Sequence, residues 1–119
     1  MMTRLSALLL VLAMPVCALT QQVNANMHIY ILMGQSNMAG RGKVTDYYKK
    51  QGHERVVMLT EENEWVPASH PVHFDKPKVV GVGPGLTFGI SMAEAYPHVT
   101  IGLVPCAVGG TAKIGRAHV

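Results

Sequence analysis

Ser36 is the residue whose type and surroundings best suit chemistry in this sequence. It follows an apolar run that ends near Gly34, and it stands between Gln35 and Asn37 in the stretch GQSN. A serine hydroxyl at a strand-to-helix turn is exposed, and the backbone N–H beside it can stabilise a developing oxyanion. On spacing alone, an ordinary turn serine is the simpler interpretation. Ser36 is therefore a candidate nucleophile that needs support from elsewhere in the chain.

A second glycine-rich segment follows a later apolar run. Gly109, Gly110 and Thr111 come shortly after the stretch IGLVPC (101–106). A glycine pair lets a backbone N–H approach a substrate oxygen without an intervening side chain. In a parallel sheet, functional groups gather beyond the carboxyl ends of the strands. We therefore expect this segment and the Ser36 segment to meet as half of an oxyanion hole and a nucleophile.

The elements that must hold these segments follow from the hydrophobic pattern. Apolar and β-branched runs predict strands over residues 27–34, 55–60, 64–66 and 98–106, with the first and last buried on both faces. Residues 69–83 are rich in turn formers and predict a long surface loop. Pro84 suits a first helical position, and residues 85–96 predict a helix that is apolar on two sides and so buried between other elements. This order predicts an α/β fold with a parallel sheet.

The N-terminus has the pattern of an export signal. Arg4 precedes the apolar stretch LSALLLVLAMPV, and small residues suited to cleavage end at Ala18 or Ala25. The stretch is shorter than the roughly 20 residues that span a bilayer, and Pro15 interrupts it. We predict that residues 1–25 are a cleaved signal peptide. The mature protein would then be secreted or periplasmic and not held in a membrane.

Charge and cysteine usage narrow the class of partner. Residues 26–112 carry seven Lys/Arg and seven Asp/Glu, so the basic pI of about 9.0 comes from the two ends of the chain. No nucleic-acid or anionic-membrane partner is expected from a neutral central segment. Cys106 is the cysteine that remains after signal cleavage, and its apolar neighbours predict a buried structural thiol.

Competing motifs fail at single positions. Met38 stands where the G-x-S-x-G elbow of α/β-hydrolases needs glycine. Leu86 stands where a dinucleotide-binding fingerprint needs its third glycine. His70, His73 and Asp75 could be drawn as a metal site, but no further ligands support one, and we predict that all three are solvated loop residues.

Three blocks occur in order along the chain: GQSNMAGRG, GVGPGLTFG and VPCAVGGTA. Together they resemble the sialate O-acetylesterase-like carbohydrate esterases, which include acetylxylan esterases and belong to the SGNH (GDSL) hydrolase superfamily. The resemblance covers about residues 28–112. It implies a three-layer α/β/α flavodoxin-like sandwich that is incomplete in this chain. It also implies hydrolysis of an O-acetyl ester on a saccharide substrate, without a metal or organic cofactor.

The resemblance also assigns site residues. It makes Ser36 the nucleophile and, through its backbone N–H, an oxyanion donor. Gly110 becomes the second oxyanion N–H donor, with Gly109 as the alternative. The family takes its histidine and carboxylate from a C-terminal Asp-x-x-His pattern, preceded by a further block that completes the oxyanion hole. Neither the Asp-x-x-His pattern nor the further block is found in this sequence. His73 and Asp75 do not form the pattern, because their order and spacing differ from it.

The end of the sequence departs from the family pattern after Ala112. Its last six residues, IGRAHV, are what a common short-read sequencing adapter (ATC GGA AGA GCA CAC GTC) encodes in one frame. We therefore expect residues 26–112 to be the N-terminal part of a longer esterase domain and residues 113–119 to be a non-native tail. Alone, such a piece would expose apolar sheet faces, so we expect it to be poorly soluble and inactive.

Two functions stay open at the level of sequence. One is a secreted serine esterase that removes acetyl groups from carbohydrate. The other is a non-catalytic carbohydrate-binding or pseudoenzyme module on the same scaffold. The retained hydroxyl of Ser36 favours the enzyme, because a binding module has no chemical need of it. A lipase or peptidase of the same superfamily ranks below both, since the GQSNMAG form resembles the sugar-ester branch.

Overall fold

The computed structural model describes residues 26–111. The predicted signal peptide (1–25) and the predicted non-native tail (113–119) lie outside the described residues. Within residues 26–111 the chain forms four strands and three helices. In chain order these are β1 (Met27–Leu32), α1 (Ser36–Ala39), α2 (Asp46–Lys49), β2 (Val56–Leu59), β3 (Trp65–Pro67), α3 (Gly85–Ala95) and β4 (Thr100–Pro105).

The four strands form one sheet in the order β1-β4-β2-β3. β4 pairs in parallel with β1 on one side and with β2 on the other, so that Leu103 lies opposite both Tyr30 and Met58. β3 pairs antiparallel with β2 through the polar turn that follows Thr60. The predicted α/β fold with a largely parallel sheet is confirmed, and each strand lies within two residues of its predicted bounds. A crossover through α3 connects the antiparallel hairpin to β4.

The core lies between α3 and the strands β2 and β4. Leu86, Val56, Ile101 and Leu103 are fully buried there. A side chain at Gly89 would lie only 2.9 Å from Val56 and 3.0 Å from Leu103, so the helix approaches the sheet more closely than a larger residue would permit. Each buried aliphatic side chain of this kind contributes roughly 1.5–3 kcal/mol by its removal from water.

Two predictions of two-sided burial are wrong. On β1, the side chains of Ile29 and Ile31 are 57% and 61% exposed, because no element within residues 26–111 covers that face of the strand. On α3, Phe88 is 40% exposed while Leu86 and Ala93 are buried, since the described sheet packs against one side of the helix. Both elements thus present an apolar face that the described part of the chain leaves open.

The predicted long loop runs from β3 to α3, and its end pairs with the first sequence block. At its end, the backbone groups of Gly42 and Val82 exchange two hydrogen bonds, at 3.0 and 2.8 Å. The N–H of Gly81 also donates to the carbonyl oxygen of Gly40 at 3.0 Å. The glycines of both blocks therefore pack backbone against backbone. None of the helices in residues 26–111 has the length and apolar character that crossing a membrane requires.

Candidate active site

Ser36 is the first residue of α1, immediately beyond the carboxyl end of β1. The turn between them depends on Gly34, whose φ of +151° is rarely adopted by other residues. A side chain at Gly34 would also lie 2.9 Å from the Cβ of Met38. α1 begins as soon as the turn ends, so the half-buried Ser36 is presented at the edge of the sheet.

The glycine-rich segment after β4 lies against this turn. The N–H of Cys106 donates to the carbonyl oxygen of Leu32 at 2.9 Å. The N–H of Val108 donates to the carbonyl oxygen of Gly34 at 3.3 Å. Because β1 and β4 are parallel neighbours, both segments leave the sheet at the same edge. The structure thus brings together the Ser36 turn and the loop that carries Gly109 and Gly110.

A cavity of about 900 Å³ opens between these two segments. Its lining residues are Met33, Gly34, Gln35, Ser36, Asn37, Met38, Pro84, Cys106, Val108 and Thr111. The cavity is within the size range of ordinary small-ligand sites. Cys106 was expected to be a buried thiol, and this expectation is wrong: the residue is exposed, because it follows the last residue of β4 and borders the cavity.

Some backbone N–H groups of the two segments donate hydrogen bonds within the described residues, and others do not. Within residues 26–111, neither the N–H of Ser36 nor that of Gly110 donates a hydrogen bond. The N–H of Gly109, in contrast, donates to Oδ2 of Asp75 at 2.9 Å. This bond engages the N–H of Gly109 with an anionic acceptor, whereas the N–H of Gly110 has no partner within the described residues. The assignment of Gly110 as the second oxyanion donor, with Gly109 as the alternative, stays a prediction.

Asp75 and Arg41 form an ion pair that the sequence did not reveal. Arg41 Nη2 donates to Asp75 Oδ2 at 2.7 Å, and Nη1 approaches Oδ1 at 3.4 Å. The prediction that Asp75 is solvated is wrong, because its side chain is 1% exposed. The hydrogen bond from Arg41, aided by the N–H of Gly109, lowers the pKa of Asp75 to about 2 despite the opposing effect of burial. Asp75 is thus ionised at neutral pH.

His70 and His73 are also buried, contrary to the prediction. Nε2 of His73 lies 3.4 Å from the carbonyl oxygen of Leu32, and Nε2 of His70 lies 3.2 Å from Oε1 of Gln51. Burial lowers the pKa of each histidine, so the neutral imidazole is favoured. Across residues 26–111, no three His, Cys, Asp or Glu side chains are grouped so that they could hold a metal ion.

The described part of the chain supplies no base for the serine. No side chain among residues 26–111 forms a hydrogen bond with Oγ of Ser36. His73 is turned instead to the carbonyl oxygen of Leu32. The arrangement offers the hydroxyl of Ser36 in a cavity that Val108 and Thr111 also line, and the N–H groups of Ser36 and Gly110 have no partner within the described residues. That combination suits acyl transfer once a general base is present.

The profile of the family "Carbohydrate esterase, sialic acid-specific acetylesterase" matches residues 26–115. The chain belongs to this family. The resemblance inferred from the three sequence blocks is thereby confirmed. A relative from Arabidopsis thaliana, named "Probable carbohydrate esterase", is 39% identical over 101 residues. The alignment covers 71% of this chain and 39% of the relative, so the chain spans about two fifths of that protein's length.

Two solved structures share the fold of this carbohydrate esterase family member. The crystal structure of the Arabidopsis protein is similar with a TM-score of 0.61 and 38% identity, covering 73% of this chain and 42% of that one. The crystal structure of NanS is similar with a TM-score of 0.55 and 22% identity, covering 75% of this chain and 37% of that one. The predicted SGNH-type α/β fold, incomplete at this length, is confirmed.

Proposed function

We propose that the protein acts as a serine esterase that removes O-acetyl groups from carbohydrate, with Ser36 as its nucleophile. One observation carries the proposal. Ser36 lines the cavity of about 900 Å³ together with Val108 and Thr111, which flank the glycine pair. Membership of the carbohydrate esterase family supports ester hydrolysis as the reaction and an acetylated saccharide as the substrate.

The proposed chemistry is a two-step acyl transfer. Oγ of Ser36 gives its proton to a base outside residues 26–111 and attacks the carbonyl carbon of the acetyl ester. The N–H groups of Ser36 and Gly110 stabilise the oxyanion of the tetrahedral intermediate. The sugar oxygen leaves with the proton from the base, and an acetyl group remains on Ser36. Water then cleaves this acyl-enzyme and releases acetate, with no metal or organic cofactor required.

The decisive experiment measures acetate release by the full-length gene product that contains these residues. The substrates are an O-acetylated sialic acid, acetylated xylan and 4-nitrophenyl acetate, which separate the sugar class from general acetyl-ester cleavage. Ser36→Ala should lower kcat/KM by about 10⁴-fold or more, because the nucleophile is lost. Ser91→Ala is the matched control, since Ser91 is an exposed serine on α3, and it should leave the rate unchanged.

The alternative is a non-catalytic carbohydrate-binding module on the same scaffold, which the same experiment separates. Saturable binding of an acetylated sugar without acetate release would establish that alternative. Equal hydrolysis by the wild type and by Ser36→Ala would refute the assignment of the nucleophile. Hydrolysis of 4-nitrophenyl acetate alone would keep the esterase and reject carbohydrate as the substrate.

We propose further that residues 26–112 are the N-terminal part of a longer esterase domain and that residues 113–119 are not native. The exposed Ile29 and Ile31 support this, because further elements of the domain would cover their face. A polypeptide of residues 26–112 should be poorly soluble and inactive. A soluble form that unfolds cooperatively would contradict this proposal. A long sequencing read past codon 112 tests the junction directly.

Export is the remaining part of the proposal. Residues 1–25 carry the signal pattern, so the mature protein should begin after Ala18 or Ala25 and lie in the periplasm or outside the cell. N-terminal sequencing of the protein from an exporting host decides between the two sites. An intact Met1 in the exported fraction would contradict cleavage.

A further inference from the structure

The carboxylate of Asp75 joins three segments that are distant in sequence. It lies in the long loop between β3 and α3 and receives the guanidinium of Arg41 from the segment after α1. It also accepts the N–H of Gly109 at 2.9 Å from the loop after β4. Its Oδ2 atom therefore accepts one hydrogen bond from the first sequence block, through Arg41, and one from the third block, through Gly109. We call the Asp75–Arg41 pair the carboxylate clamp.

The clamp is built more tightly than an ordinary surface ion pair. The side chain of Asp75 is 1% exposed, and Arg41 Nη1 also donates to the carbonyl oxygen of Gly40 at 2.8 Å. Charge-assisted bonds in such a setting are shorter and stronger than neutral ones. The geometry of Gly109 is thereby fixed from outside its own loop.

Gly109 meets the clamp because it lacks a side chain. A Cβ at this position would collide with Nη2 of Arg41, which is the atom that binds Asp75. The two glycines of the loop thus have different parts in the arrangement. Gly109 makes contact with the clamp, and Gly110 carries the N–H that has no partner within the described residues.

We propose that Asp75 and Arg41 are positioning residues, which hold the Gly109–Gly110 loop at a fixed distance from Ser36. This inference rests on the proposed esterase function. The loop is held at two points: Val108 is bonded to Gly34 in the Ser36 turn, and Gly109 is bonded to Asp75. The amide of Gly110 follows directly after the second point. A shift of about 1 Å in such a donor can slow a reaction by about 10²-fold.

The first test is kinetic and uses the full-length gene product. Asp75→Asn keeps the size of the side chain but removes its charge, and it should lower kcat for acetyl-ester hydrolysis by about 10- to 100-fold with less than a threefold change in KM. Arg41→Lys keeps the positive charge beside Asp75, so it should lower kcat less than Asp75→Asn does. Asp46→Asn is the matched control, because it removes the exposed Asp46–Lys49 pair. This control should retain the wild-type kcat.

The second test does not depend on activity. In ¹⁵N-labelled full-length protein carrying Ser36→Ala, the amide proton of Gly109 should resonate downfield and exchange slowly with solvent. Adding Asp75→Asn should shift that resonance upfield and speed its exchange by at least tenfold, while Asp46→Asn leaves it unchanged. If Asp75→Asn fails to fold, Arg41→Gln, which removes the positive charge that Asp75 binds, takes its place in both tests.

The outcomes separate the inference from the function on which it rests. A wild-type protein without esterase activity overturns the proposed function, and the Gly109 amide still decides whether the clamp holds the loop. An active enzyme that keeps its kcat in Asp75→Asn overturns the positioning role. A loss of kcat with an unchanged Gly109 amide overturns it as well. Loss of kcat together with a loosened Gly109 amide supports it.

Discussion

The N–H of Val108 donates to the carbonyl oxygen of Gly34, two residues before Ser36. This bond links the loop after the last described strand to the turn after the first one. The parallel pairing of β1 with β4 makes the link possible, because it brings the carboxyl ends of both strands to one edge. Ser36 and the loop that carries Gly109 and Gly110 are therefore held at the same edge of the sheet.

Chemical modification of Cys106 should block the cavity. Its thiol is exposed and borders the same cavity as Ser36, so an adduct on it would obstruct substrate. Treatment of the full-length protein with N-ethylmaleimide should abolish most hydrolysis of 4-nitrophenyl acetate. Cys106→Ser should retain activity and resist the reagent. Equal inactivation of wild type and variant would show that another group is the target.

Arg55 should stabilise the end of α3. Its guanidinium donates to the carbonyl oxygens of Ala93, Tyr96 and Val99 at 2.6–2.9 Å. These groups lie at the C-terminal end of the helix, where a positive charge is favourable. Arg55→Ala should lower the free energy of unfolding by about 2–3 kcal/mol in urea titrations. Lys50→Ala, at an exposed position, should change it by less than about 0.5 kcal/mol.

Gly81 should tolerate no side chain. A Cβ there would overlap the carbonyl oxygen of Gly42, which is backbone and cannot turn away. Gly81→Ala should therefore lower the free energy of unfolding by about 2 kcal/mol or more and disturb the junction of the two glycine blocks. At Gly52 the nearest atom to a new Cβ is an oxygen of Ala68 at 3.5 Å, an ordinary contact. If Gly52→Ala destabilised the protein equally, close backbone packing would not be the cause.

Asp75 should make stability depend on pH in the acid range. Its pKa falls from an ordinary value of 3.8 to about 2 on folding. The stabilisation is therefore fully present above pH 3.8 and is lost as the pH falls towards 2. After allowance for solvent around the part-exposed Arg41, about 1–2 kcal/mol should be lost over this range. Unfolding curves of Asp75→Asn at pH 5 and pH 2 should lack this component, and a wild-type slope in the variant would contradict the assignment.

His73 should make the stability of the fold depend on pH near neutrality. Burial lowers its pKa, which outweighs the Leu32 carbonyl and the charge of Asp75 that favour protonation. The unfolded chain then binds the proton more readily, so stability should fall as the pH drops below about 6.5. His73→Gln should reduce the difference in melting temperature between pH 7.5 and 5.5. His98→Gln, at an exposed position, should keep the wild-type difference.

The sequence allowed the order of elements to be predicted, because each strand is an apolar run and α3 follows a proline at its start. The meeting of the Ser36 and Gly110 segments could also be predicted, since parallel strands place their carboxyl ends at one edge. The bounds of the four-residue helices α1 and α2 could not be predicted, because such short segments give no periodic signal. The residue pattern predicts those strands and helices whose formation depends on neighbouring residues in the sequence.

The carboxylate clamp could not be predicted, because it depends on residues that are distant from one another in sequence. Asp75 lies between turn-forming residues and has the local surroundings of a solvated aspartate, and its partners Arg41 and Gly109 are each 34 residues away. The same local surroundings predict a solvated His73, although its side chain is buried. Burial of these side chains follows from how the long loop folds back over the sheet edge, which tertiary contacts decide.

The pairing of β1 with β4 has a consequence for how the protein is made. β1 is the first described strand to be synthesised, and its partner, with Leu103 opposite Tyr30, is the last. Contacts so distant in sequence slow folding, because a long loop must close before they are gained. Until then a newly made chain carries an unpaired strand with exposed Ile29 and Ile31, which favours association with other chains. Within the described residues, the Ser36 turn and the loop after β4 can therefore meet only once β4 has been made, and the yield of folded protein should depend on protecting β1 until β4 emerges.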